Sequence, residues 1–307
     1  MQHTVVSVTV TKNGKSFLDR HLESLEGQSR RLDEIIVVDN ASSDDTIAFV
    51  AERWPSITVI RLPSNEGVAG GYSAGIKYAL DRNYDWVWML DQDSVPFPGT
   101  LRKLIDTYDS LPNREQVGLV APIPVDEGSN EPALPFRWTK GKQVSVKPVS
   151  FDQGVTFVDM VISSGSLVRA DAVRKAGLPR SEFFMDFVDF EHCLRLRRHG
   201  FLVAVVNDCT MLHKIGTPRS IRILGRKIMW TTHIPWRGYY KVRNRTYVAW
   251  HEMPSTGAKC FVLKKLFAQA LGTLLFDSDK FVRMNFMWRG FWDGIQGKLG
   301  IQVAPID

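Results

Sequence analysis

Two carboxylates spaced one residue apart, Asp91 and Asp93, directly follow an apolar run that ends at Leu90. Successive side chains of a strand point to opposite faces, but both acids can approach one pocket where the strand ends and the chain turns. Carboxylate oxygens are the ligands that hard divalent cations prefer, and such a cation can in turn hold a phosphate. The spacing therefore indicates a metal site, although a solvated turn would contain the same two acids.

A histidine further along the chain offers a third ligand to this site. His213 follows a predicted strand over 201–206 and a turn. An imidazole nitrogen suits Mn²⁺ as a ligand beside Asp91 and Asp93. A lone histidine is, however, more often a structural residue, and the sequence leaves both interpretations open.

A second group of acids alternates with aromatic residues between Phe183 and Glu191. Within it, Asp189 stands near the start of a predicted helix over 187–199. A partly desolvated carboxylate has a raised pKa, which suits a general base. The helix dipole alone would also favour an acid at this position. Asp189 is therefore a candidate base, with a purely structural function as the alternative.

The glycine-rich segment from Asn65 to Gly71 opens a predicted helix over 65–82. Glycines allow close approach of a ligand, and the free N–H groups of a helix start attract anions. The segment lacks the Gly-x-Gly-x-x-Gly spacing of dinucleotide-binding proteins, which disfavours a Rossmann oxidoreductase. A tight turn with a packed helix would show the same residues.

Strands and helices alternate over the front of the chain and must position these side chains. β-branched and apolar runs predict the strands, and periodic apolar residues predict the helices between them. This alternation predicts a mainly parallel sheet with helices on both faces, which binds ligands at the carboxyl ends of its strands. Thr11, Asp39 and Asp91 fall at such ends. Residues 122–150 have no clear period and are predicted to form a long loop.

Composition and charge divide the chain in two. It has 307 residues, 44% of them hydrophobic, and three cysteines without a Cys-x-x-Cys pair, which disfavours a disulfide framework or a zinc site. Residues 214–307 carry 16 Lys and Arg against 5 Asp and Glu, a net charge of +11. Residues 1–213 carry 23 against 28, a net charge of −5. We therefore predict a core over 1–213 and a basic, aromatic, helical region over 214–307.

The basic region suits an anionic partner. A predicted helix over 280–299 carries aromatic residues and cations, as helices at anionic membrane surfaces do. Packing of this helix on the core or on a second copy of the chain explains the pattern equally well, and self-association stays open. No apolar run reaches the roughly 18 residues of a membrane span, and no secretory signal is visible. We expect a cytoplasmic protein, peripheral at the inner face of the plasma membrane, and no motif supports nucleic-acid binding.

Taken together and in order, these motifs resemble those of family 2 glycosyltransferases. The resemblance implies an α/β protein of the GT-A type, with a Rossmann-like, mainly parallel sheet flanked by helices and a C-terminal helical, basic and aromatic extension. Within the family, bacterial rhamnosyltransferases and galactofuranosyltransferases are the most similar. The segments that carry this likeness are Asp91–Gln92–Asp93, Phe184–Glu191 and Tyr239–Arg245.

The resemblance also implies a function for each matching position. Asp93 would bind Mn²⁺ or Mg²⁺ with His213 as a further ligand, and Asp91 would lie near the ribose or the metal. Asp189 matches the catalytic base. Donor-binding positions would be Thr11, Asp39, Asn65, Gly67, Gly71, Asp91 and Gln92. Positions on the acceptor side would be Ser164, Gly165, Glu191 and Arg195. Only one acid of the family's usual pair is present, in Val188–Asp189, so Asp186 is an alternative base.

The implied reaction is an inverting, metal-dependent sugar transfer. The donor would be a UDP- or dTDP-sugar, with rhamnose or galactofuranose favoured. The acceptor would be a lipid-diphosphate-linked glycan of the cell surface, such as O-antigen. Two other classes stay open: a non-catalytic membrane- or glycan-binding scaffold on the same fold, and a nucleotidyltransferase, which would release pyrophosphate from a nucleoside triphosphate.

Overall fold

The computed structural model describes residues 3–140, 142–147, 154–214, 218–223, 226–231 and 234–304. The chain forms two compact units. The first comprises Met1–Arg137, Ser145–Ser181 and Asp189–Ile215, and the second comprises Trp138–Val144, Glu182–Val188 and Gly216–Asp307. The functional division between 1–213 and 214–307 stays a prediction.

Strands and helices alternate along the chain, as the apolar periodicity predicts. The strands are β1 Val5–Thr11, β2 Glu34–Asp39, β3 Thr58–Arg61, β4 Trp86–Asp91, β5 Val95–Pro96, β6 Val117–Asp126, β7 Phe136–Thr139, β8 Lys142–Ser145, β9 Val155–Val158, β10 Leu167–Arg169, β11 Leu202–His213, β12 Pro218–Ile223 and β13 Arg226–Thr231. The helices are α1 Lys15–Glu26, α2 Thr46–Arg53, α3 Gly67–Asp81, α4 Thr100–Ser110, α5 Ala170–Ala176, α6 Val188–Arg198, α7 Pro235–Tyr247, α8 Thr256–Phe276 and α9 Lys280–Ile295.

Nine strands of the first unit form one sheet in the order β3-β2-β1-β4-β10-β6-β11-β5, with β9 also paired to β11. β1 is parallel to β2 and β4, and β2 is parallel to β3. β10 lies antiparallel between β4 and β6, whereas β6 and β11 are parallel. The sheet is therefore mixed but mainly parallel, and the predicted α/β fold class is confirmed.

Close packing of α3 on β1 brings the glycine-rich start of this helix to the carboxyl edge of the sheet. A Cβ atom on Gly71 would lie 2.5 Å from Cγ1 of Val10, and one on Gly75 would lie 2.3 Å from Cγ1 of Val8. Any side chain at either position would force the helix away from the strand. These two glycines therefore serve close packing between the helix and the sheet.

The predicted loop over 122–150 is wrong in part. β6 continues to Asp126, because Ile123 and Val125 stay in register with Thr210 and Leu212 of β11 beyond an irregularity in that strand. β7 and β8 then pair with each other. The segments at 141 and 148–150 lie outside the described residues. Pairing with a strand more than 80 residues away in the sequence supplies hydrogen bonds that local periodicity does not reveal.

The region after His213 is not wholly helical, since β12 and β13 form an antiparallel hairpin before α7. The three helices that follow pack around one apolar cluster. Its buried members are Val242, Ala249, Ala258, Val262, Met287 and Phe291. The aromatic residues of α9 are therefore divided: Phe291 packs inward, whereas Trp288 and Trp292 are exposed.

The segment that leads into α6 is held in an unusual conformation by α7. Phe184, Asp186 and Phe187 have φ values of 62°, 58° and 67°, which cost free energy in any residue other than glycine. The Asn244 side-chain amide donates to the carbonyl oxygens of Phe183, Met185 and Asp186 at 2.9, 2.7 and 2.8 Å. The Asn244 amide thus holds three carbonyls of this segment in place.

Replacement of Asn244 by alanine is therefore expected to lower the free energy of unfolding by about 2–4 kcal/mol, since the carbonyls of Met185 and Asp186 would lose this donor. Urea unfolding measures this change. Asn285→Ala, on the exposed surface of α9, is the matched control and should change stability by less than about 0.5 kcal/mol. If Asn244→Ala and Asn285→Ala are equally stable, the proposal that Asn244 holds this segment is wrong.

Candidate active site

Two acids and a histidine meet at the carboxyl edge of the sheet. Asp91 ends β4, Asp93 follows in the turn, and His213 ends β11. His213 Nδ1 lies 3.2 Å from Asp93 Oδ1, and Nε2 lies 3.7 Å from Asp91 Oδ2. One ligand atom from each of the three residues lies within 4.8 Å of the others. The fold therefore brings together the three residues that the sequence proposes as metal ligands.

The carboxylates of this cluster favour a positive charge between them. Burial by itself lowers the pKa of His213, but the neighbouring carboxylates of Asp93, Asp91 and Asp126 outweigh it and raise the pKa above its ordinary value. His213 Nδ1 is buried and makes no hydrogen bond of good geometry. Two carboxylates and an imidazole with an unsatisfied nitrogen fit a divalent cation such as Mn²⁺ or Mg²⁺.

Buried hydrogen bonds fasten the turn that carries Asp93. The Ser94 amide donates to the Asp91 carbonyl at 3.0 Å, and the Ser94 hydroxyl accepts from the Asp91 amide at 3.2 Å. The same hydroxyl contacts that of Ser164. Ser164, predicted on the acceptor side, is thus buried against this turn. The contact with Ser164 therefore supports the turn from the protein interior.

His21 supports the same turn from α1. Its Nδ1 donates to the Ser94 carbonyl at 2.5 Å, and its Nε2 accepts from the Thr9 hydroxyl at 2.8 Å. Burial lowers the pKa of His21 to about 4, so the ring is neutral at physiological pH. His21 is not among the site residues predicted from the sequence. The available signal was a histidine on the apolar face that carries Leu18 and Leu22.

Tyr72 links the metal-site acids to the candidate base. Its hydroxyl donates to Asp91 Oδ1 at 2.8 Å. Burial raises the pKa of Tyr72 well above its ordinary value, and the charges of Asp91 and Asp189 raise it further. Asp189 is therefore close enough to influence the tyrosine that orients Asp91. Nothing in the sequence distinguishes Tyr72 from other aromatic residues on helix faces.

Asp189 lies in the first turn of α6 and is partly exposed. Its Oδ1 accepts a hydrogen bond from the Phe190 amide at 2.8 Å. The alternative base, Asp186, has both carboxylate oxygens engaged by Arg237, at 2.9 and 3.2 Å. An acid whose two oxygens are both engaged by an arginine is less available to an acceptor hydroxyl. The geometry therefore favours Asp189 over Asp186.

Glu191 and Arg195, predicted on the acceptor side, are buried. Arg195 Nε and Nη2 donate to the two Glu191 carboxylate oxygens at 2.8 and 3.1 Å, and Arg180 donates to one of them at 3.1 Å. Arg195 also donates to the carbonyls of residues 176 and 178. Buried charges require such pairing, so this network anchors α6 and with it Asp189.

The predicted donor-binding residues share one edge of the sheet. Thr11 is in register with Asp39, and Val10 with Asp91. The Thr11 hydroxyl donates to Gln92 Oε1 at 2.7 Å, which ties the end of β1 to the turn between the two acids. Asp39 is buried and accepts from the Ser42 amide at 3.2 Å. This bond turns the chain after β2.

Two glycines near the edge have backbone conformations that other residues rarely adopt. Gly67 has φ 69°, and its amide donates to Asn65 Oδ1 at 3.0 Å at the start of α3. Gly165 has φ 84°, and a Cβ atom there would lie 2.3 Å from the sulfur of Met211. Asn65, Gly67 and Gly165 therefore shape the backbone around the candidate site.

Comparisons with known proteins point to one family. The family described as Glycosyl transferase family 2 matches residues 7–160. The chain is 30% identical to the dTDP-rhamnosyl transferase RfbF of Shigella flexneri over 253 residues, which is 80% of this chain and 79% of that protein. It is 27% identical to the galactofuranosyltransferase GlfT1 of Mycolicibacterium smegmatis, over 81% of this chain and 84% of that protein.

Solved structures show the same fold at low sequence identity. The S. aureus TarS 1–349 structure in complex with UDP aligns with a TM-score of 0.54 at 14% identity, covering 94% of this chain and 71% of that one. GalNAc-T7 with UDP, GalNAc and Mn²⁺ aligns with a TM-score of 0.61 at 15% identity, covering 96% of this chain and 56% of that one. The sheet described above is thus the GT-A sheet.

Proposed function

Because this chain belongs to glycosyltransferase family 2, we propose that it transfers rhamnose or galactofuranose from a dTDP- or UDP-sugar to a lipid-diphosphate-linked glycan, with inversion at the anomeric carbon. The convergence of Asp91, Asp93 and His213 at the carboxyl edge of the sheet carries this proposal. The sugar assignment is supported by two relatives, a dTDP-rhamnosyl transferase and a galactofuranosyltransferase.

Three residues would hold a divalent cation at this site. Asp91 and Asp93 provide carboxylate oxygens and His213 an imidazole nitrogen. A bound Mn²⁺ or Mg²⁺ would neutralise charge that develops on the departing nucleoside diphosphate. Tyr72 fixes the orientation of Asp91 through its hydroxyl, so the site is shaped before the donor arrives.

Asp189 acts as the general base in the proposed reaction. Its carboxylate accepts the proton of the acceptor hydroxyl as the hydroxyl oxygen bonds to the anomeric carbon. The bond from that carbon to the diphosphate oxygen breaks on the opposite face, and the nucleoside diphosphate leaves with the bonding electron pair. One displacement inverts the anomeric centre and requires no covalent intermediate with the enzyme.

An exposed apolar stripe on α8 supports a peripheral membrane location. Its members recur at helical spacing and are Leu263, Phe267, Leu271, Leu274 and Leu275. Phe267 is 72% exposed, and Phe281 at the start of α9 is 91% exposed. Lys264 and Lys265 adjoin the stripe in the sequence. Apolar residues beside cations suit an anionic membrane surface, and we propose the cytoplasmic leaflet, where a lipid-linked acceptor is presented.

Among the helices of the described ranges, none has both the length and the apolar character of a membrane span.

Phe267→Ser is expected to weaken binding to vesicles that contain phosphatidylglycerol by about 10- to 100-fold, because burial of a phenylalanine in an apolar phase contributes about 1.5–3 kcal/mol. Co-sedimentation at low salt measures the change. Phe97→Ser removes an exposed phenylalanine from the first unit and should leave vesicle binding unchanged. If the wild-type protein does not co-sediment with the vesicles, the proposed membrane surface is wrong.

A donor screen tests the proposed function directly. Release of nucleoside diphosphate would be measured from dTDP-rhamnose, UDP-galactofuranose, UDP-glucose, UDP-GlcNAc and GDP-mannose, with Mn²⁺ or Mg²⁺ and a membrane lipid extract as acceptor. We expect release from dTDP-rhamnose or UDP-galactofuranose, and its loss in Asp93→Ala. If nucleoside diphosphate is released only from one of the other three donors, the sugar assignment is wrong. Pyrophosphate release from a nucleoside triphosphate would favour a nucleotidyltransferase.

A further inference from the structure

Three cationic side chains recur at four-residue spacing along α7. They are Arg237, Lys241 and Arg245, and this spacing places them on one face of the helix. Lys241 and Arg245 belong to the Tyr239–Arg245 segment, whose cations have no part in the reaction described above. All three lie in the second unit, as does Lys265 of α8.

Arg245 is the most unusual of these cations. Its side chain is only 7% exposed, and its Nε and Nη2 atoms are buried with no hydrogen-bond partner in the described part of the chain. Burial lowers its pKa to about 10, so the guanidinium stays charged at physiological pH. A buried charge without a counter-charge is strongly disfavoured. A bound anion would supply the partner that these two nitrogens lack in the described part of the chain.

Lys241 shares this environment. Burial lowers the pKa of Lys241, the charge of Asp186 opposes that effect, and the charges of Arg245, Arg237 and Lys265 lower the pKa further. Asp186 itself is engaged through both carboxylate oxygens by Arg237. Three cations and one acid thus act on Lys241, and that acid is already in an ion pair with Arg237.

We propose that Lys241 and Arg245, together with Arg237, form a second anion site that binds the diphosphate group of the lipid-linked acceptor. A guanidinium presents paired N–H donors that match phosphate oxygens, and the ammonium of a lysine adds a compact charge. The site consists of cations, so it binds a diphosphate directly without a metal ion. The donor site at Asp93 consists of carboxylates and requires one. The identity of the ligand as the acceptor rests on the proposed function.

Inorganic pyrophosphate in the presence of EDTA is the first probe, because chelation removes the metal that the carboxylate site requires. Calorimetry should detect binding to the wild-type protein. Lys241→Gln and Arg245→Met should each weaken it by at least 10-fold. Lys298→Gln, which removes an exposed cation of the second unit, should leave the Kd within 2-fold. Equal affinities in all four proteins would overturn the site.

Thermal unfolding distinguishes a ligand site from a structural arginine. Without ligand, Arg245→Met should melt at the same temperature as the wild type or higher, since it replaces an unpaired buried charge with an apolar chain. Pyrophosphate should raise the melting temperature of the wild type and not that of the variant. A variant that melts lower and is still stabilised by pyrophosphate would overturn the proposal.

Binding of farnesyl diphosphate and of phosphatidylglycerol vesicles distinguishes a lipid-linked diphosphate from the phosphate groups of a membrane. Farnesyl diphosphate should bind at least as tightly as pyrophosphate and lose affinity in Lys241→Gln, whereas phosphatidylglycerol vesicles should not distinguish that variant from the wild type. Binding of pyrophosphate but not of farnesyl diphosphate would overturn the lipid-linked ligand. Sugar transfer by a protein that does not bind pyrophosphate would refute this site alone. If the protein binds pyrophosphate but releases nucleoside diphosphate from no donor, the proposed transferase function is refuted and the anion site is not.

Discussion

Replacement of Asp93 by alanine is expected to abolish the effect of Mn²⁺ on donor binding and to reduce sugar transfer by about 10³-fold or more. Asp93 Oδ1 lies 3.2 Å from His213 Nδ1, and the loss of this carboxylate leaves Asp91 and His213 as the remaining ligands. Two ligands hold a divalent cation weakly. The same replacement also removes part of the negative charge that raises the pKa of His213.

Calorimetric titration with the nucleotide-sugar, with and without Mn²⁺, measures this prediction together with nucleoside diphosphate release. Asp106→Ala removes an exposed acid of α4 and changes the net charge equally. It should bind and turn over the donor as the wild type does. If the donor binds Asp93→Ala with wild-type affinity in both conditions, the metal assignment is wrong.

Asp189→Asn is expected to reduce turnover by about 10²- to 10⁴-fold while donor affinity stays unchanged, because an amide cannot accept the acceptor proton. The variant preserves the shape of the side chain and an oxygen that can accept the Phe190 amide. The start of α6 should therefore be intact, since Glu191 and Arg195 anchor it independently.

Asp186→Asn is the informative comparison for this prediction. It removes the charge that Arg237 holds, and we expect a smaller loss of turnover than in Asp189→Asn, together with lower stability. Single-turnover kinetics at saturating donor and urea unfolding separate the two effects. Wild-type turnover by Asp189→Asn, with turnover lost in Asp186→Asn, would transfer the function of the base to Asp186.

The predicted elements of the first unit were recovered where apolar periodicity is strong. Strand β1, for example, is buried over all seven residues. The prediction failed over 122–150, because β6 is extended by pairing with β11, a long-range contact. It also failed for the hairpin after His213, since a basic composition does not separate strand from helix.

In the candidate site, too, local sequence patterns do not reveal contacts between residues that are distant in the chain. Asp91, Asp93, Asp189 and His213 could be proposed from residue types, spacing and resemblance to a family. The supporting residues Tyr72, Ser94 and His21 could not, because their partners lie 19, 70 and 73 residues away in the chain. Glu191 and Arg195 were placed on the acceptor side, and only their burial revealed an ion pair within the protein.

The sequence by itself determined the alternating pattern of strands and helices, the acids at strand ends and the charge asymmetry, because these depend on local side-chain chemistry. Only the tertiary structure decided which polar groups meet. The parallel sheet brings the ends of β1, β2 and β4 together, and the pairing of β5 with β11 brings His213 to Asp93. Burial also left Nε and Nη2 of Arg245 without a hydrogen-bond partner in the described part of the chain. Such proximity depends on the free energy of packing the whole core, which no short segment of the sequence contains.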